Sequence, residues 1–526
     1  MKRINFIRNI SATGAMFTLG PGFSSAFNKS FGFTIPPYSH RLLLTDGHYQ
    51  KVCGYVEDVP VWEYQWASEK AYEDFQDIKF GVRLHWGPYS ILKLKGESWG
   101  FLGMSFEERQ HYQELYKTWS PEHFDANEWV DLFSDCGFKM FAFTSKHHDG
   151  FSMFNSKANV KQRVNWGAPN GPVAEDCDFS YSMMDTPFKR DIVKELCDAA
   201  HKKEIKIDLY FSHPDWYDAD FRPYNYSPVQ IPSAAQFAVT GKNLVPENLD
   251  PDFRKRLGDP IFFMPDPSQE EMKRMMKRHR MQLEELLTNY GKIDMICLDQ
   301  WLGPKVWPLL RDTMLHLRKI QPDVMFRARG IGNYGDYYTP EGFVPGNKEN
   351  SDTPWFVIYP LGNSFSYDSD ASAYKGSRWV IINLIDSAAK GGNFMVGIGP
   401  EGNGQFHETA VTQLREVGAW LRLNGEAIYA TRARDGNLWN EGENIRFTRS
   451  KDKMMVYVFS YEWPGENLMI KTVKPRDNSK IYLLGYPEEL NWKYDSANGL
   501  AIHLSSEMLN GFSEAARHAF AFKINV

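Results

Sequence analysis

The sequence predicts an α/β fold, a (β/α)8-like barrel followed by a C-terminal β-sandwich domain. Three observations predict it. Short apolar runs of strand length alternate with segments of helical period, and the runs are apolar on both faces, as a parallel sheet covered by helices requires. Beyond Arg432 the apolar period changes to two, between turns rich in Gly, Asn, Asp and Pro, which reads as an appended sandwich. No Gly-x-Gly-x-x-Gly turn follows the first strand, so an open dinucleotide-binding sheet loses its main support.

Residues 1–26 carry basic Lys2, Arg3 and Arg8, an apolar stretch from Ile10 to Leu19, and small Ser24 and Ala26 at A-x-A-like spacing. That pattern reads as a signal peptide, with a polar N-terminal tail as the alternative. The barrel, with an N-terminal extension, is expected over 27–431. Its strands are predicted at 80–85, 138–144, 205–212, 293–298, 324–329 and 393–398. Its helices are predicted at 125–136, 188–203, 267–290, 305–319 and 407–424. The first of these helices sets Trp129, Leu132 and Phe133 on one face, and the second sets Ile192, Leu196 and Ala199. The sandwich, 432–526, shows alternating strands at 445–447, 456–458, 481–484, 500–504 and 520–524.

Bulk composition narrows the partners. The chain has 526 residues and a formal charge of −6, and it contains no long Lys/Arg block, which argues against nucleic acid and anionic membrane surfaces. No later segment has the roughly 20 unbroken apolar residues of a membrane span. Aromatic residues make up 15%, a level that suits stacking on the flat faces of sugars as well as a large core. The five cysteines show no CxxC spacing, so neither a zinc site nor a disulfide framework is indicated. An exported protein, periplasmic or extracellular, is expected.

In a (β/α)8 barrel the chemistry sits at the C-terminal strand ends, so the polar residues closing each apolar run are the candidates. The runs close on His85-Trp86, Lys146-His147-His148-Asp149, Tyr210-Phe211-Ser212-His213, Asp299-Gln300-Trp301 and Arg329. Any one of these could be a structural hydrogen-bonding residue; five successive ends obeying one rule point to a site. Adjacent residues on an extended segment face opposite ways, so His147 and His148 do not readily share one metal ion, and no HExxH accompanies them. No metal or cofactor is expected. Neutral imidazoles and aromatic rings instead suit hydroxyl-rich ligands. Glycoside hydrolysis uses two carboxylates. Asp299 is the strand-end candidate for nucleophile, a helix cap being its bland alternative; Asp294 lies at the wrong end of the same strand. Glu341, in the loop after the fifth strand, is the candidate acid/base, unless it is a solvated loop residue.

At this point the motifs resemble a known family, the α-L-fucosidases of glycoside hydrolase family 29. The resemblance covers most of 80–432. It rests on Phe80-Gly-Val-Arg-Leu-His85-Trp-Gly, Phe124-Asp-Ala-Asn-Glu-Trp129, Lys146-His-His-Asp-Gly-Phe151, Lys189-Arg-Asp-Ile-Val-Lys-Glu-Leu196, Gly391-Gly-Asn-Phe-Met-Val-Gly-Ile-Gly-Pro400 and Gly418-Ala-Trp-Leu-Arg-Leu-Asn-Gly-Glu-Ala-Ile-Tyr429. It implies a barrel with a C-terminal sandwich and an exo-acting, retaining α-L-fucosidase that removes terminal fucosyl residues from oligosaccharides or polysaccharides. It implies Asp299 as nucleophile, Glu341 as acid/base, and sugar contacts from His85, Trp99, His147, His148, Tyr210 and Arg329. Glu341 follows Arg329 by twelve residues in the context Asp336-Tyr-Tyr-Thr-Pro-Glu341, which matches the family pattern.

The chain also departs from that pattern, each time in the expected pocket region. Cys297 stands where the family commonly has Trp, Trp355-Phe356 replaces a usual Trp-Glu, and Ser364-Phe-Ser-Tyr367 replaces a usual Ser-Trp-Gly-Tyr. These departures keep two further expectations open. One is an α-L-galactosidase with the same double displacement, because a pocket relaxed near C6 admits one more hydroxyl. The other, from a different class, is a non-catalytic glycan-binding protein on the same scaffold.

Overall fold

The structure, a computed structural model, describes residues 47–50, 52–169, 172–221, 267–341, 344–345 and 353–526. The expected signal peptide lies outside the described residues. The first nine strands are β1 (Phe80–Leu84), β2 (Met140–Lys146), β3 (Val160–Asn165), β4 (Val173–Phe179), β5 (Lys206–Ser212), β6 (Met295–Asp299), β7 (Met325–Phe326), β8 (Phe356–Pro360) and β9 (Asn393–Ile398). Seven of them pair in the order β7-β6-β5-β2-β1-β9-β8, with each strand parallel to its neighbours. β3 and β4 form an antiparallel hairpin in the connection from β2 to β5. All residues of β1, β2, β6 and β9 are buried, as expected for strands apolar on both faces.

Around the sheet run α1 (Glu69–Ile78), α2 (Ala126–Asp135), α3 (Ile192–Lys202), α4 (Gln269–Thr288), α5 (Trp307–Ile320), α6 (Ser377–Ala389) and α7 (Glu408–Asn424). Their starts are chemically marked. Ser68, Asp125 and Asp191 accept backbone N–H groups of the first turns of α1, α2 and α3, and Ser268 with Glu271 forms a capping box on α4. α2 buries Trp129, Val130, Leu132 and Phe133 as its periodicity requires.

The two edges of the sheet, β7 and β8, do not stay open. Residues 337–341 run between them as an eighth stave, with parallel bridges Arg327 to Tyr337, Tyr338 to Trp355, and Glu341 to Ile358. Tyr338 N donates to Pro354 O at 3.0 Å and Phe356 N to Tyr338 O at 3.1 Å. The barrel is therefore closed, and Glu341 sits at the C-terminal end of a stave rather than out in a loop. The expected strand 324–329 is regular only at Met325–Phe326; beyond it the chain turns at Gly330 to feed the closing stave.

Asp336 anchors that turn. Its Oδ1 accepts from Ala67 N (3.0 Å) and Tyr72 Oη (2.9 Å), and its Oδ2 from Arg318 Nη2 (2.6 Å) and Phe326 N (2.8 Å). Arg318 and Asp336 are both buried. Replacing Asp336 by Asn leaves that guanidinium without its counter-charge, and an earlier urea midpoint is expected, equivalent to about 3 kcal/mol. An unchanged midpoint would show that the anchor is dispensable.

The C-terminal region holds nine more strands: β10 (Asn440–Glu441), β11 (Ile445–Arg449), β12 (Met455–Ser460), β13 (Asn467–Ile470), β14 (Ile481–Leu483), β15 (Glu489–Leu490), β16 (Trp492–Asp495), β17 (Gly499–His503) and β18 (Phe520–Asn525). They form an antiparallel sheet β10-β11-β12-β18-β14-β15 and a second, β13-β17-β16. Phe447, Val458, Ile481 and Phe522 of one meet Leu468, Ile470, Leu500 and Ile502 of the other in a single core, the packing of a sandwich. The four strands that the alternation did not indicate, β10, β13, β15 and β16, have two to four residues, too short to show a period.

Candidate active site

The C-terminal strand ends surround a cavity of about 250 Å³ lined by Arg83, His85, Glu97, Trp99, His147, Tyr210, Asp299, Gln300, Arg329, Glu341 and Phe365. Of the eight residues the sequence singles out, seven line it: His85, Trp99, His147, Tyr210, Asp299, Arg329 and Glu341. His148 stands behind. Its ring packs edge-on against Trp99 (centroids 4.7 Å) and its Nε2 lies 3.6 Å from Asp299 Oδ2. The two follow the end of β2 at a turn with their rings packed together (centroids 4.5 Å), so the opposite facing expected of extended neighbours does not hold: His147 lines the cavity and His148 backs it.

Two arginines organise the carboxylates. Arg329 donates through Nη1 to Asp299 Oδ1 (2.7 Å) and through Nη2 to Glu341 Oε1 (2.8 Å). Arg327 repeats the pattern at 3.4 Å and 2.9 Å. Asp299 Oδ2 accepts from Tyr210 Oη at 2.6 Å. Burial would raise the Asp299 carboxyl, but Arg329 and Arg327, helped by His148 and the Tyr210 hydrogen bond, outweigh it and hold the group well below the usual carboxylate range. Asp299 is therefore an anion with its charge held in place.

The local backbone makes this approach possible. Gly330 has φ 80°, and a Cβ there would lie 2.3 Å from the Gln300 carbonyl, so only glycine lets the segment after Arg329 pass the segment after Asp299. Gln300 itself is held at φ 62°, an uncommon conformation for a non-glycine residue, directly after the candidate nucleophile.

The histidines are neutral. Burial is the largest cause for all three: it drives His85 and His147 well below their ordinary range and His148 down to about 4, although Asp299 pulls each of them upward. A neutral imidazole offers one donor and one acceptor, which fits a hydroxyl group. Ser98 Oγ and His147 Nδ1 share a hydrogen bond of 2.5 Å, which leaves His147 Nε2 for the cavity. Tyr210 stacks on His147 at 5.2 Å, and Phe365 on His85 at 5.1 Å, so aromatic packing fixes both rings.

Three lining or supporting groups escape strand-end reading. Arg327 and Arg83 lie inside apolar runs, two residues before Arg329 and His85, and so share their faces. Glu97 comes from a 3-10 turn, Glu97–Gly103, far from any strand end. Its Oε1 accepts from Ser366 N at 2.9 Å, yet burial pushes its carboxyl up to about 7 against the backbone N–H groups of Ser366 and Phe365. Between its ordinary value near 4.5 and about 7 the folded protein keeps a proton that the unfolded chain has released. Stability should therefore fall as pH rises through that window. Glu97→Gln should make thermal unfolding less dependent on pH between 5 and 8, without abolishing the slope, because buried Asp149 and Asp208 are also pushed up to about 7. A slope identical to wild type would remove Glu97 from this account.

One expectation about the pocket is corrected. Phe356 is not a pocket residue: it opens β8, is fully buried, and meets Phe75 of α1 at 4.9 Å on the helix side of the sheet. Cys297 and Phe365 do belong to the cavity region, the first as a buried thiol that Arg327 Nη1 reaches at 3.4 Å. Among the described residues no helix is long and apolar enough to cross a membrane.

Known proteins resemble this chain in sequence and in fold. The chain is 27% identical to the tissue alpha-L-fucosidase of Homo sapiens over 458 residues, covering 82% of this chain and 84% of that one. It is 24% identical to the plasma alpha-L-fucosidase of Pongo abelii over 455 residues, covering 82% and 85%. Among solved structures, the alpha-fucosidase of Thermotoga maritima, in complex with fucose, has the same fold with a TM-score of 0.65 at 20% identity, covering 88% of this chain and 100% of that one. The model of the alpha-L-fucosidase family matches residues 56–426, and that of the alpha-L-fucosidase C-terminal domain matches 440–525. With well over half of its length so matched, the chain belongs to the alpha-L-fucosidase family of glycoside hydrolases.

Proposed function

We propose that the protein is an exo-acting, retaining α-L-fucosidase that removes terminal α-L-fucosyl residues from glycans. The observation that carries this reading is the single guanidinium of Arg329 bonded to both Asp299 and Glu341. It brings two carboxylates to one cavity, as double displacement needs, and a separation of about 5–5.5 Å is the retaining geometry. Asp299 attacks C1 while Glu341 gives a proton to the departing glycosidic oxygen, and the C1–O bond to the aglycone breaks. Water then attacks C1, Glu341 takes its proton, and the bond to Asp299 breaks.

The arginine pair suits this exchange of charge. Before the first step Asp299 is the anion; after it Asp299 is a neutral ester and Glu341 has become the carboxylate. Arg329 and Arg327 remain bonded to an anion in both states, so the site's net charge does not change as the proton leaves. Both guanidiniums bind Oε1 of Glu341, and the mechanism assigns Oε2 to proton transfer. His85, His147, Glu97 and Trp99 hold ring hydroxyls, with His148 fixing Trp99 and the face of Asp299.

The matched relatives named as alpha-L-fucosidases and the solved complex with fucose support the choice of sugar. The N-terminal sequence supports export. The test is proton NMR of the first sugar released from 4-nitrophenyl α-L-fucopyranoside: α-L-fucose appearing before mutarotation is the expected product. Initial release of the β-anomer, or no release, would refute the reading.

A further inference from the structure

Among the described residues, Arg83 is the one cavity-lining cation without a carboxylate of its own. It projects from β1 on the same face as His85, is 3% exposed, and its guanidinium sits 4.7 Å over the Tyr210 ring. Among the described residues no hydrogen bond or ion pair is found for it, and its Nε is buried without a partner. The anions nearby are engaged elsewhere: Asp299 with Arg329 and Tyr210, Glu341 with Arg327 and Arg329. Asp208 on β5 accepts from Tyr337 at 3.3 Å through Oδ2 and, among the described residues, has no hydrogen bond on Oδ1; burial pushes its carboxyl up to about 7, with Arg83 the first of the charges that oppose the rise. A buried guanidinium with open donors facing a cavity is costly unless the ligand supplies the acceptor.

Fucose cannot supply that acceptor easily. It has three ring hydroxyls beyond C1, and His85, His147, Glu97, Trp99 and Arg329 already line the same cavity to meet them. Its remaining substituent is a methyl group. The described lining contains no aliphatic side chain; its apolar surface is Trp99 and Phe365, and Cys297, beside Arg327, replaces a bulky ring. L-Galactose differs from fucose only at C6, where it carries oxygen.

We infer that this pocket takes an α-L-galacto-configured sugar bearing oxygen on C6, a hydroxymethyl or carboxylate group, with Arg83 as the residue that receives it. The inference rests on the retaining-glycosidase reading and refines its substrate. The shared chemistry is a C6 oxygen acceptor, and a carboxylate would bind the guanidinium in two-pronged fashion.

The test compares kcat/KM of the full-length protein and its Arg83→Met variant on 4-nitrophenyl α-L-fucopyranoside, α-L-galactopyranoside and α-L-galactopyranosiduronate. The wild type should accept an oxygenated sugar alongside the fucoside, and in Arg83→Met the ratio of the oxygenated to the fucoside kcat/KM should fall by about 10- to 100-fold, the range of one charged hydrogen bond. Cooperative thermal melting and an unchanged far-UV circular dichroism spectrum show that Arg83→Met is folded. The galactoside and galactosiduronate arms tell a hydroxymethyl from a carboxylate. No wild-type turnover of either oxygenated sugar, or an unchanged ratio in Arg83→Met, overturns the inference while leaving the glycosidase reading intact. If no glycoside is cleaved, the glycosidase reading fails, and calorimetric titration with L-fucose, L-galactose and L-galacturonate decides the role of Arg83 alone. Tighter binding of an oxygenated sugar supports it, and equal or weaker binding overturns it.

Discussion

Replacing Asp299 by Asn is expected to lower kcat by about 10⁴-fold or more while the protein stays folded, because an amide cannot form the covalent intermediate on which double displacement depends. The near-isosteric change keeps one acceptor: the amide oxygen can still receive Arg329 Nη1, while the NH2 group takes the place of Oδ2 and donates to Tyr210 Oη. What it removes is the anion that Arg329 and Arg327 hold ionised. Some loss of thermal stability should accompany the rate loss, since Arg327 and Arg329 then share Glu341 as their one carboxylate in the site. Asp299→Gly, which leaves space at C1, should recover turnover with added azide and yield the glycosyl azide of inverted configuration. A kcat within tenfold of wild type would remove Asp299 from the nucleophile's role. A wild type that binds α-L-glycosides without cleaving them would favour a glycan-binding protein on this scaffold.

Glu341→Gln should show a different signature. A general acid contributes about 10²- to 10⁴-fold, and its loss is felt in proportion to how badly the leaving oxygen needs a proton. Hydrolysis of an oligosaccharide should therefore fall by about 10³-fold, whereas cleavage of a 4-nitrophenyl glycoside should lose far less in its first step and stall at the second, where Glu341 activates water. Azide should bypass that stall and give a product of retained configuration. Equal losses on both substrates would mean that Glu341 positions Arg327 and Arg329 rather than moving protons. The partner geometry makes that alternative concrete, because both arginines bond Glu341 Oε1.

How far these residues were legible in the sequence depends on where each lies relative to a strand end. His85, His147, Tyr210 and Asp299 close or follow apolar runs, so the barrel rule alone collects them. Arg83 and Arg327 lay in plain view two residues earlier. A charge inside an apolar strand, in phase with a strand-end site residue, must share its face. Glu97 gave no such signal, because a 3-10 turn after β1 brings it to the cavity and its contact with Ser366 spans 269 residues. The eighth stave was hidden for another reason. Residues 337–341, Tyr-Tyr-Thr-Pro-Glu, have no apolar run, and the pairing that makes them a stave is supplied by the open edges of β7 and β8. Phe356 illustrates the opposite error: motif comparison placed it near the pocket, and the strand register turned its ring toward α1.

The account turns on Asp299 as the residue that becomes covalently attached to the sugar. The most direct test is to incubate the protein with a 2-deoxy-2-fluoro α-L-glycosyl fluoride of fuco or galacto configuration, which slows the second step, and to map the modified peptide by mass spectrometry. The account predicts one sugar adduct per chain, located on Asp299 and absent from Asp299→Asn. An adduct on Glu341 or Glu97, or time-dependent inactivation with Asp299 unmodified, would contradict it.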